Sequence, residues 1–320
     1  MGKRRYIGVF KRKIAILMML ATTSIGVHAQ YDPHFSHYFN LEPSYNPAAI
    51  GKQAVINVAA AYALEMAGFR HNPQTAFITA DMPFYGMRMY QGAGLQLMND
   101  KIGAFSHQRL QGQYAAKFKL LGGTMSVGVQ AGLLSESMDG SKIDLDDASD
   151  PVFATSTVEG NVFDMAGGLY YLHGSWYAGL SATHLTAPLI HLGERNEIQV
   201  DRTYYLTGGY NIRLKNPFVT IQPSVLVKSD LVGWRADLTG RMTYQHEEKL
   251  MYVGATYSPQ NSVTILIGGK FQGIVAGYSY EFYTSAINPA NGSHELFLGY
   301  QTDVNLVKKG RNRHQSVRIL

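Results

Sequence analysis

The sequence predicts an all-β protein, a transmembrane antiparallel β-barrel of about 14 strands with an N-terminal periplasmic arm. Three features of the chain lead to this fold class. Apolar and polar residues alternate over long segments, and short and long links alternate between those segments. No apolar run after residue 30 approaches the roughly 18 residues that a membrane helix needs. A barrel inserted in the outer membrane satisfies all three features.

The alternation is clearest in residues 231–245. Arg235, Asp237 and Arg241 belong to the polar string of this segment, and the residues between them form an apolar string. Strict alternation places the two strings on opposite faces of one strand. A tilted strand crosses the hydrocarbon in roughly 9–11 residues, so this segment is long enough to span. Because its charged face cannot contact lipid, that face lines a polar interior. The apolar string is Val232, Trp234, Ala236, Leu238, Gly240, Met242 and Tyr244.

The same pattern recurs along the chain, and the links between the segments alternate in length. Links after even-numbered segments are tight turns, apart from a longer one at 83–90. The links 135–160 and 185–202, which follow odd-numbered segments, are long. Barrels have short periplasmic turns and longer surface loops, so both termini are predicted to be periplasmic. The segments are 53–62, 74–82, 91–98, 108–120, 124–134, 161–172, 175–184, 203–214, 218–228, 231–245, 250–257, 263–271, 273–283 and 294–302.

Residues 1–29 are predicted to form a secretory signal peptide. A basic region precedes an apolar core, and the small residues Val27 and Ala29 fit cleavage between Ala29 and Gln30. The mature chain then divides into a periplasmic arm at 30–51, a barrel at 52–302 and a basic periplasmic tail at 303–320. The sequence contains no cysteine, which excludes disulfides and a lipid anchor on a cysteine.

The distribution of charge argues against nucleic-acid binding. The whole chain has 28 Lys and Arg against 23 Asp and Glu, a formal net charge of +5. Six of the basic residues lie in the signal peptide, so the mature chain has 22 against 23 and a net charge of −1. The tail carries the densest remaining group of basic residues. The mature protein is therefore an acidic barrel with a basic end.

Short motifs occur in a fixed order along the mature chain. They are Gln30-Tyr31-Asp32-Pro33-His34-Phe35-Ser36-His37-Tyr38, Tyr45-Asn46-Pro47-Ala48, Asp81-Met82-Pro83, Asn99-Asp100-Lys101-Ile102-Gly103, Gly128-Val129-Gln130-Ala131-Gly132, Gly167-Gly168-Leu169-Tyr170-Tyr171, Tyr177-Ala178-Gly179-Leu180-Ser181 and His294-Glu295-Leu296-Phe297-Leu298-Gly299-Tyr300. As an ordered set, they resemble the PorP/SprF family of type IX secretion system membrane proteins.

The resemblance implies a non-enzymatic outer-membrane component of the type IX secretion system. The expected partners are periplasmic ring or lipoprotein components of that system, exported surface proteins and the lipid bilayer, with no nucleic acid and no cofactor. The alternative is an outer-membrane porin or nutrient-uptake channel. The two differ in conductance and in partners, because a porin conducts alone whereas the secretion component needs a periplasmic protein.

The arm is the first candidate site for such a partner. It contains too many prolines for a strand, yet it carries more aromatic surface than a flexible linker. Its rings must be buried either in the periplasmic mouth of the barrel or against a partner. Our hypothesis is that the arm and the tail together form a docking face, and the alternative for the basic tail is a disordered, solvated end. The candidate residues are Phe35, Tyr38, Phe39, Asn40, Tyr45, Asn46, Pro47, Gly51, Lys308, Lys309, Arg311 and Arg313.

A second set of charged residues is predicted to face the lumen. These side chains could line a water channel or pair with one another in a plug-like network. Pairing is favoured because basic residues beside acidic ones neutralise each other. The set is Arg109, Lys117, Arg213, Arg235, Asp237, Arg241 and Glu281.

We predict no metal site and no catalytic residue. A group of aspartates in the link 135–160 offers oxygen ligands, but its spacing does not match the EF-hand loop, so a solvated loop is the prediction. His34 and His37 flank Phe35 in the proline-rich arm, where a helix that would bring them together is disfavoured. No serine lies in a nucleophile-elbow setting. The aspartates are Asp139, Asp144, Asp146, Asp147 and Asp150.

Overall fold

The structure is a computed structural model that describes residues 31–142, 157–193, 196–247, 249–285 and 291–304. Several sequence predictions lie outside these residues. They are the signal peptide, the cleavage site at Ala29 and Gln30, Asp144, Asp146, Asp147, Asp150, and the tail residues Lys308, Lys309, Arg311 and Arg313. Within the described ranges, no helix is long and apolar enough to cross a membrane.

The chain folds into a closed antiparallel barrel whose wall has 14 strand positions, which we call staves. Each stave pairs with the next one along the chain, and the first pairs with the last, from Val55 opposite Asp303 to Leu64 opposite His294. β10 and β11 follow one another in a single stave, whereas β8 and β9 form a separate hairpin. The strands are β1 (Val55–Leu64), β2 (Gln74–Gly86), β3 (Met89–Ile102), β4 (Phe105–Leu120), β5 (Gly123–Asp139), β6 (Thr157–His173), β7 (Trp176–Thr183), β8 (Leu189–Leu192), β9 (Asn196–Gln199), β10 (Thr203–Tyr210), β11 (Ile212–Arg213), β12 (Val219–Ser229), β13 (Trp234–His246), β14 (Lys249–Ser258), β15 (Ser262–Phe271), β16 (Ile274–Tyr283) and β17 (Ser293–Asp303).

The predicted fold class is confirmed, and each of the predicted segments coincides with one stave. The predicted longer link at 83–90 is wrong. β2 continues through Pro83 to Gly86, and only Met87 and Arg88 turn the chain into β3. Both have positive φ, 48° and 62°, as in the tight turns that match the twist of a hairpin. The turn was not predicted because the positive-φ positions of a two-residue hairpin usually hold Asn or Gly, and Met87 and Arg88 are neither.

The two ends of the barrel differ in the length of their links. We call the end that carries the links after β2, β4, β6, β11, β13 and β15 the short-turn end. The opposite end, with the links 140–156 and 184–202, is the long-loop end. β1 starts and β17 finishes at the short-turn end, because Val55 pairs with Asp303.

The two faces of the wall follow the predicted alternation. In β13, Trp234, Leu238 and Met242 are 54%, 49% and 49% exposed on the outside, whereas Asp237 and Thr239 are buried inside. Exposed aromatic side chains gather near both ends of the wall, as expected for rings at the two membrane–water interfaces. They include Trp176, Tyr210, Phe218, Tyr244, Phe271 and Tyr300 at the short-turn end, and Tyr62, Trp234, Tyr257 and Phe282 at the long-loop end.

Residues 31–51 lie inside the barrel, where they fill the lumen; we call this segment the plug. It begins beside Arg109 and His184 near the long-loop end. It then descends to Gly51, which contacts Asp81 nearer the short-turn end, before the chain enters β1. Two 3-10 turns, Glu42–Ser44 and Pro47–Ala49, shorten its path. The segment predicted as a periplasmic arm thus lies within the barrel, because the inner wall offers hydrogen-bond partners and space along its length.

Candidate functional site: the lumen plug

Asp32 anchors the upper part of the plug. This residue is buried, and its carboxylate accepts hydrogen bonds from Arg109 Nη1 at 2.7 Å, Thr183 Oγ1 at 3.0 Å and the Tyr205 hydroxyl at 2.6 Å. His184 Nε2 lies 3.1 Å from the same carboxylate. Burial alone would raise the pKa of Asp32, but the charges of Arg109 and His184 outweigh it and hold this pKa well below its ordinary value.

His184 extends this anchor to the barrel wall. Its Nδ1 lies 2.8 Å from the carboxylate of Asp164 on β6, while its Nε2 faces Asp32. A carboxylate only accepts hydrogen bonds, so both ring nitrogens donate and the imidazole is charged. Lys228 Nζ adds a bond of 2.8 Å to the backbone oxygen of Asp32. The start of the plug is therefore tied to β4, β6, β7, β10 and β12.

A hairpin covers the plug at the long-loop end. Ile190 and Leu192 of β8 are almost fully buried and pack with Leu134 and Met138 on the inner face of β5. Tyr31 packs against the same cluster, and its ring meets the rings of His107 and His184 edge-on at 5.1 Å. Its hydroxyl donates a hydrogen bond to Glu136 of β5. The first described residue of the plug is thus enclosed by the β8–β9 hairpin and by β4 and β5.

Glu295 of β17 provides a second anchor. Its carboxylate accepts hydrogen bonds from the backbone N–H of Ser36 at 2.6 Å and of His37 at 2.9 Å. The His37 Nδ1 lies 2.6 Å from the same group, and the ring stacks on Phe297 at 5.8 Å. All four residues are buried. β17 is seven staves from β7 in the 14-stave barrel, so this anchor lies opposite the contact of Asp32 with Thr183.

Aromatic packing fills the middle of the lumen. Tyr38 donates its hydroxyl hydrogen to Thr239 Oγ1 at 3.0 Å, and Phe39 packs beneath the Arg241 guanidinium, which lies 3.5 Å from the ring centre. Tyr45 stacks on Tyr205 at 5.5 Å. Cation–π and ring contacts of this kind stabilise by about 0.5–2 kcal/mol each when they exclude water. The aromatic residues that the sequence marked for burial are buried against the inner wall.

Two glycines of the wall form a notch for the sequence Asn46-Pro47-Ala48. A Cβ on Gly128 would lie 2.3 Å from the Ala48 nitrogen, and a Cβ on Gly168 would lie 2.2 Å from Asn46 Oδ1. Both distances are far below van der Waals contact. At Gly128 the clash is with the plug backbone, so only glycine fits there, and at Gly168 an added Cβ would displace the Asn46 side chain. Asn46 holds this turn by accepting from the Ala48 N–H at 2.9 Å and donating to the Leu169 oxygen at 3.1 Å. The glycine-containing motifs at 128–132 and 167–171 therefore have a packing function.

The plug ends in a sharp bend at Gly51. Its φ is +58°, and a Cβ there would lie 2.9 Å from Gly92 Cα, so the bend and the close approach both require glycine. The Gly51 N–H donates to Asp81 at 2.7 Å, and Lys117 Nζ donates to the Ile50 oxygen at 2.5 Å. Below the bend, a cavity of about 110 Å³ opens between the plug and the wall, with Glu42, Lys52 and Asp81 among its lining residues.

The charged residues predicted to face the lumen divide into three groups. Arg109, Lys117 and Arg241 contact the plug, as described above. Arg235, Asp237 and Glu281 form a buried network with N–O distances of 3.1 Å and 3.0 Å, and His34 Nδ1 lies 3.6 Å from Asp237. Burial lowers the pKa of His34. Arg213 pairs with Thr220 on the inward register but is exposed at the short-turn end.

The described docking candidates are placed on the plug. Seven of them are buried and Asn40 is half-buried, so their side chains contact the wall or other plug residues. Docking through these side chains stays a prediction that requires the plug to move. The seven are Phe35, Tyr38, Phe39, Tyr45, Asn46, Pro47 and Gly51.

Sequence reasoning did not identify Asp32, His184, Glu295, Gly128 or Gly168 as site residues. The two strand glycines carried a usable signal, because glycine on the inward string of a strand often marks the close approach of another backbone. Alternation in the predicted segment 294–302 places Glu295 on the inward face but does not show its partner, and Asp32 and His184 carried no signal that alternation could reveal. In the described ranges, no group of three His, Asp or Glu side chains is arranged to hold a metal ion.

Comparison with solved structures finds similar β-barrels, and the alignment with a TM-score above 0.5 shows the same fold. The CymD monoaromatic hydrocarbon channel aligns with a TM-score of 0.52 and 11% identity, over 88% of this chain and 96% of that chain. A TodX deltaS2S3 mutant monoaromatic hydrocarbon channel gives 0.47 and 9%, over 81% and 93%. A Pseudomonas aeruginosa FadL homologue gives 0.45 and 11%, over 81% and 93%. At these identities the likeness concerns the fold alone.

The family comparison covers nearly all of the described chain. No curated protein matches the sequence. The family model of the type IX secretion system membrane protein PorP/SprF matches residues 27–300, which include the plug and almost the whole barrel wall. Barrel and family together place the protein in the outer membrane. The chain belongs to the PorP/SprF family of type IX secretion system membrane proteins.

Proposed function

We propose that this protein is a closed, non-catalytic barrel of the type IX secretion system that docks to periplasmic ring or lipoprotein components and supports the export or surface anchoring of cargo proteins. The observation that carries the proposal is the plug. A lumen filled by the protein's own chain suits a platform for other proteins better than a diffusion channel.

The anchors of the plug support this function over that of a porin. Asp32 and Glu295 hold opposite sides of the segment through buried, charge-assisted hydrogen bonds. Such bonds are roughly twice as strong as neutral ones. The notch formed by Gly128 and Gly168 fits the plug backbone closely. A chain that seals its own lumen in this way is expected to conduct poorly by itself.

The lengths of the links support a periplasmic short-turn end, because outer-membrane barrels carry short turns on that side. β17 finishes there at Asp303, which is the first residue of the tail at 303–320. We assign docking to the tail and to the rim near Arg213, which is exposed while the plug stays in place. Lys308, Lys309, Arg311 and Arg313 suit an acidic periplasmic partner.

Two deletions test this assignment. Removing residues 305–320 is expected to abolish co-purification of the periplasmic partner and secretion, while a planar-bilayer recording shows no new conductance. Removing residues 32–46 is expected to raise conductance and leave co-purification intact. Heat-modifiable migration of both variants controls for folding.

The opposite result would reassign the site. If the shortened plug loses the partner and the shortened tail keeps it, docking belongs to the arm, as the sequence first indicated. If the unmodified protein conducts steadily by itself and its removal leaves secretion unchanged, the porin is the correct function.

A further inference from the structure

The wall of the barrel has a step between β6 and β7. β6 has 17 residues and β7 only 8, a difference of nine. β7 pairs with β6 only from Gly167 to His173. At about 3.3 Å per residue, the unmatched part of β6 extends roughly 30 Å along the strand at the long-loop end. This part pairs with β5 on one side, from Thr157 opposite Asp139 onward.

The orientation of the backbone shows which groups of β6 face the step. After β7, the Leu185 N–H donates to the Met165 oxygen at 2.9 Å, and Thr186 Oγ1 donates to the Phe163 oxygen at 3.4 Å. Odd-numbered residues of β6 therefore direct their N–H and C=O groups towards the β7 side. Alternation extends this direction to three more residues, which have no backbone partner on that side in the part of the chain that the structure describes. They are Thr157, Glu159 and Asn161.

This free edge lies outside the hydrocarbon. Phe163 and Met165 are apolar and 54% and 40% exposed on the outer face of β6. On the same face, Asn161, Glu159 and Thr157 are exposed and polar. The change from apolar to polar outward residues marks the membrane boundary between Asn161 and Phe163. Unpaired backbone groups are tolerated there because water can reach them, whereas in lipid they would not be.

We propose that residues 157–161 bind an extended segment of an exported polypeptide, which adds to β6 as an antiparallel strand. The inference rests on the proposed role in export and specifies the recognition chemistry: main-chain hydrogen bonds to an open sheet edge. Natural edges are commonly blocked by proline, lysine or a bulge. Residues 157–161 contain no proline or lysine, and their register with β5 is regular.

Charge selects the occupant of the edge. A second copy of this chain pairing across a two-fold axis centred on the edge would set one Glu159 opposite the other, and like charges directly opposite destabilise a strand pair. A segment with Lys or Arg opposite Glu159 gains a favourable cross-strand pair instead. The occupant is therefore a basic, extended segment of another polypeptide.

The test uses a fluorescent peptide of alternating Thr and Lys and the full-length barrel in detergent. Fluorescence anisotropy is expected to show saturable binding. Asn161→Pro removes an N–H from the free edge without removing one from the β5 ladder, so the barrel should fold and the peptide should bind at least about tenfold more weakly. Glu159→Lys should weaken binding similarly. A peptide methylated on alternate backbone nitrogens tests the same hydrogen bonds from the other side.

Two outcomes overturn the proposal: no saturable binding to the unmodified barrel, or equal binding by folded Asn161→Pro. The chain has no cysteine, so a photo-crosslinker on Thr157→Cys, which is exposed and leaves Glu159 in place, can identify the occupant in cells. Lys101→Cys is the matched control, because Lys101 is exposed but pairs with Gln74 and Ser106 on both sides. A crosslink to an exported protein from position 157 and not from position 101 supports the proposal, and a crosslink to a second copy refutes the occupant.

Failure here is separable from failure of the proposed function. If peptide and crosslink are both negative while the tail deletion still abolishes secretion, only the edge is wrong. If deletion of the whole protein leaves secretion unchanged, the role in export is wrong whatever the peptide does.

Discussion

Replacing Asp32 with Asn tests how the plug is held. The change keeps the shape of the side chain and removes one negative charge. In the structure this carboxylate faces Arg109, Thr183, His184 and Tyr205 at distances from 2.6 to 3.1 Å. An asparagine accepts fewer of these bonds, and it leaves the Arg109 guanidinium buried without its counter-charge.

The size of the effect follows from the burial of the pair. The side chains of Arg109 and Asp32 are 5% and 3% exposed, and breaking a buried ion pair on one side costs about 3–5 kcal/mol. Because this pair joins the plug to the wall, the loss acts on the seating of the plug. Every 1.4 kcal/mol is a factor of ten, so the unseated fraction should rise by roughly two to three and a half orders of magnitude.

Hydrogen exchange followed by mass spectrometry measures the fraction of molecules in which the plug is unseated. The backbone N–H groups of Ser36, His37 and Gly51 are bonded to wall carboxylates and report on the plug. Their protection should fall in Asp32→Asn, while the amides of β13 keep theirs. Asp201→Asn removes an exposed charge near the same end and serves as the control.

Unchanged protection of the three plug amides in a folded Asp32→Asn barrel would refute the reasoning, since the seating energy would then lie elsewhere. An equal loss of protection in β13 would show that the pair stabilises the whole barrel rather than the plug.

Three further predictions concern the notch, the lipid face and pH. Gly128→Val should unseat the plug and raise the conductance measured in planar bilayers, because its side chain meets the Ala48 backbone; Gly112→Val, which faces outward with its nearest neighbour 3.9 Å from the Cβ position, should not. Met242→Arg should lower the free energy of unfolding by roughly 2–4 kcal/mol in a urea titration if it lies near the midplane, whereas Met242→Leu should leave it unchanged. Folding lowers the pKa of Asp32, so this carboxylate stabilises the seated plug above its ordinary pKa of about 3.9, and that stabilisation is lost as the pH falls further. Conductance should therefore rise only below about pH 4. Asp32→Asn should remove this pH-dependent rise.

Local patterns in the sequence determined the wall of the barrel. Alternation in residues 231–245 was enough to assign the faces of β13, since the side-chain period of a strand depends only on neighbouring residues. The alternation of short and long links showed which links lie together at each end of the barrel. The β2–β3 turn was missed because Met87 and Arg88 adopt positive φ without the residues that usually announce it. The aromatic residues of the arm indicated that it is buried. The inward glycines indicated that another part of the chain approaches the wall closely, but alternation alone does not show which part.

Only the tertiary structure decided where the arm goes. Asp32 meets Arg109, Tyr205 and Lys228 across 77, 173 and 196 residues of sequence, and Ser36 meets Glu295 across 259. No periodicity in the chain encodes such contacts, because they exist only after the wall has closed and its inward residues converge on one axis. The sequence supplied a segment that had to be buried, and the closed wall supplied the complementary charges and glycine notch that bury it.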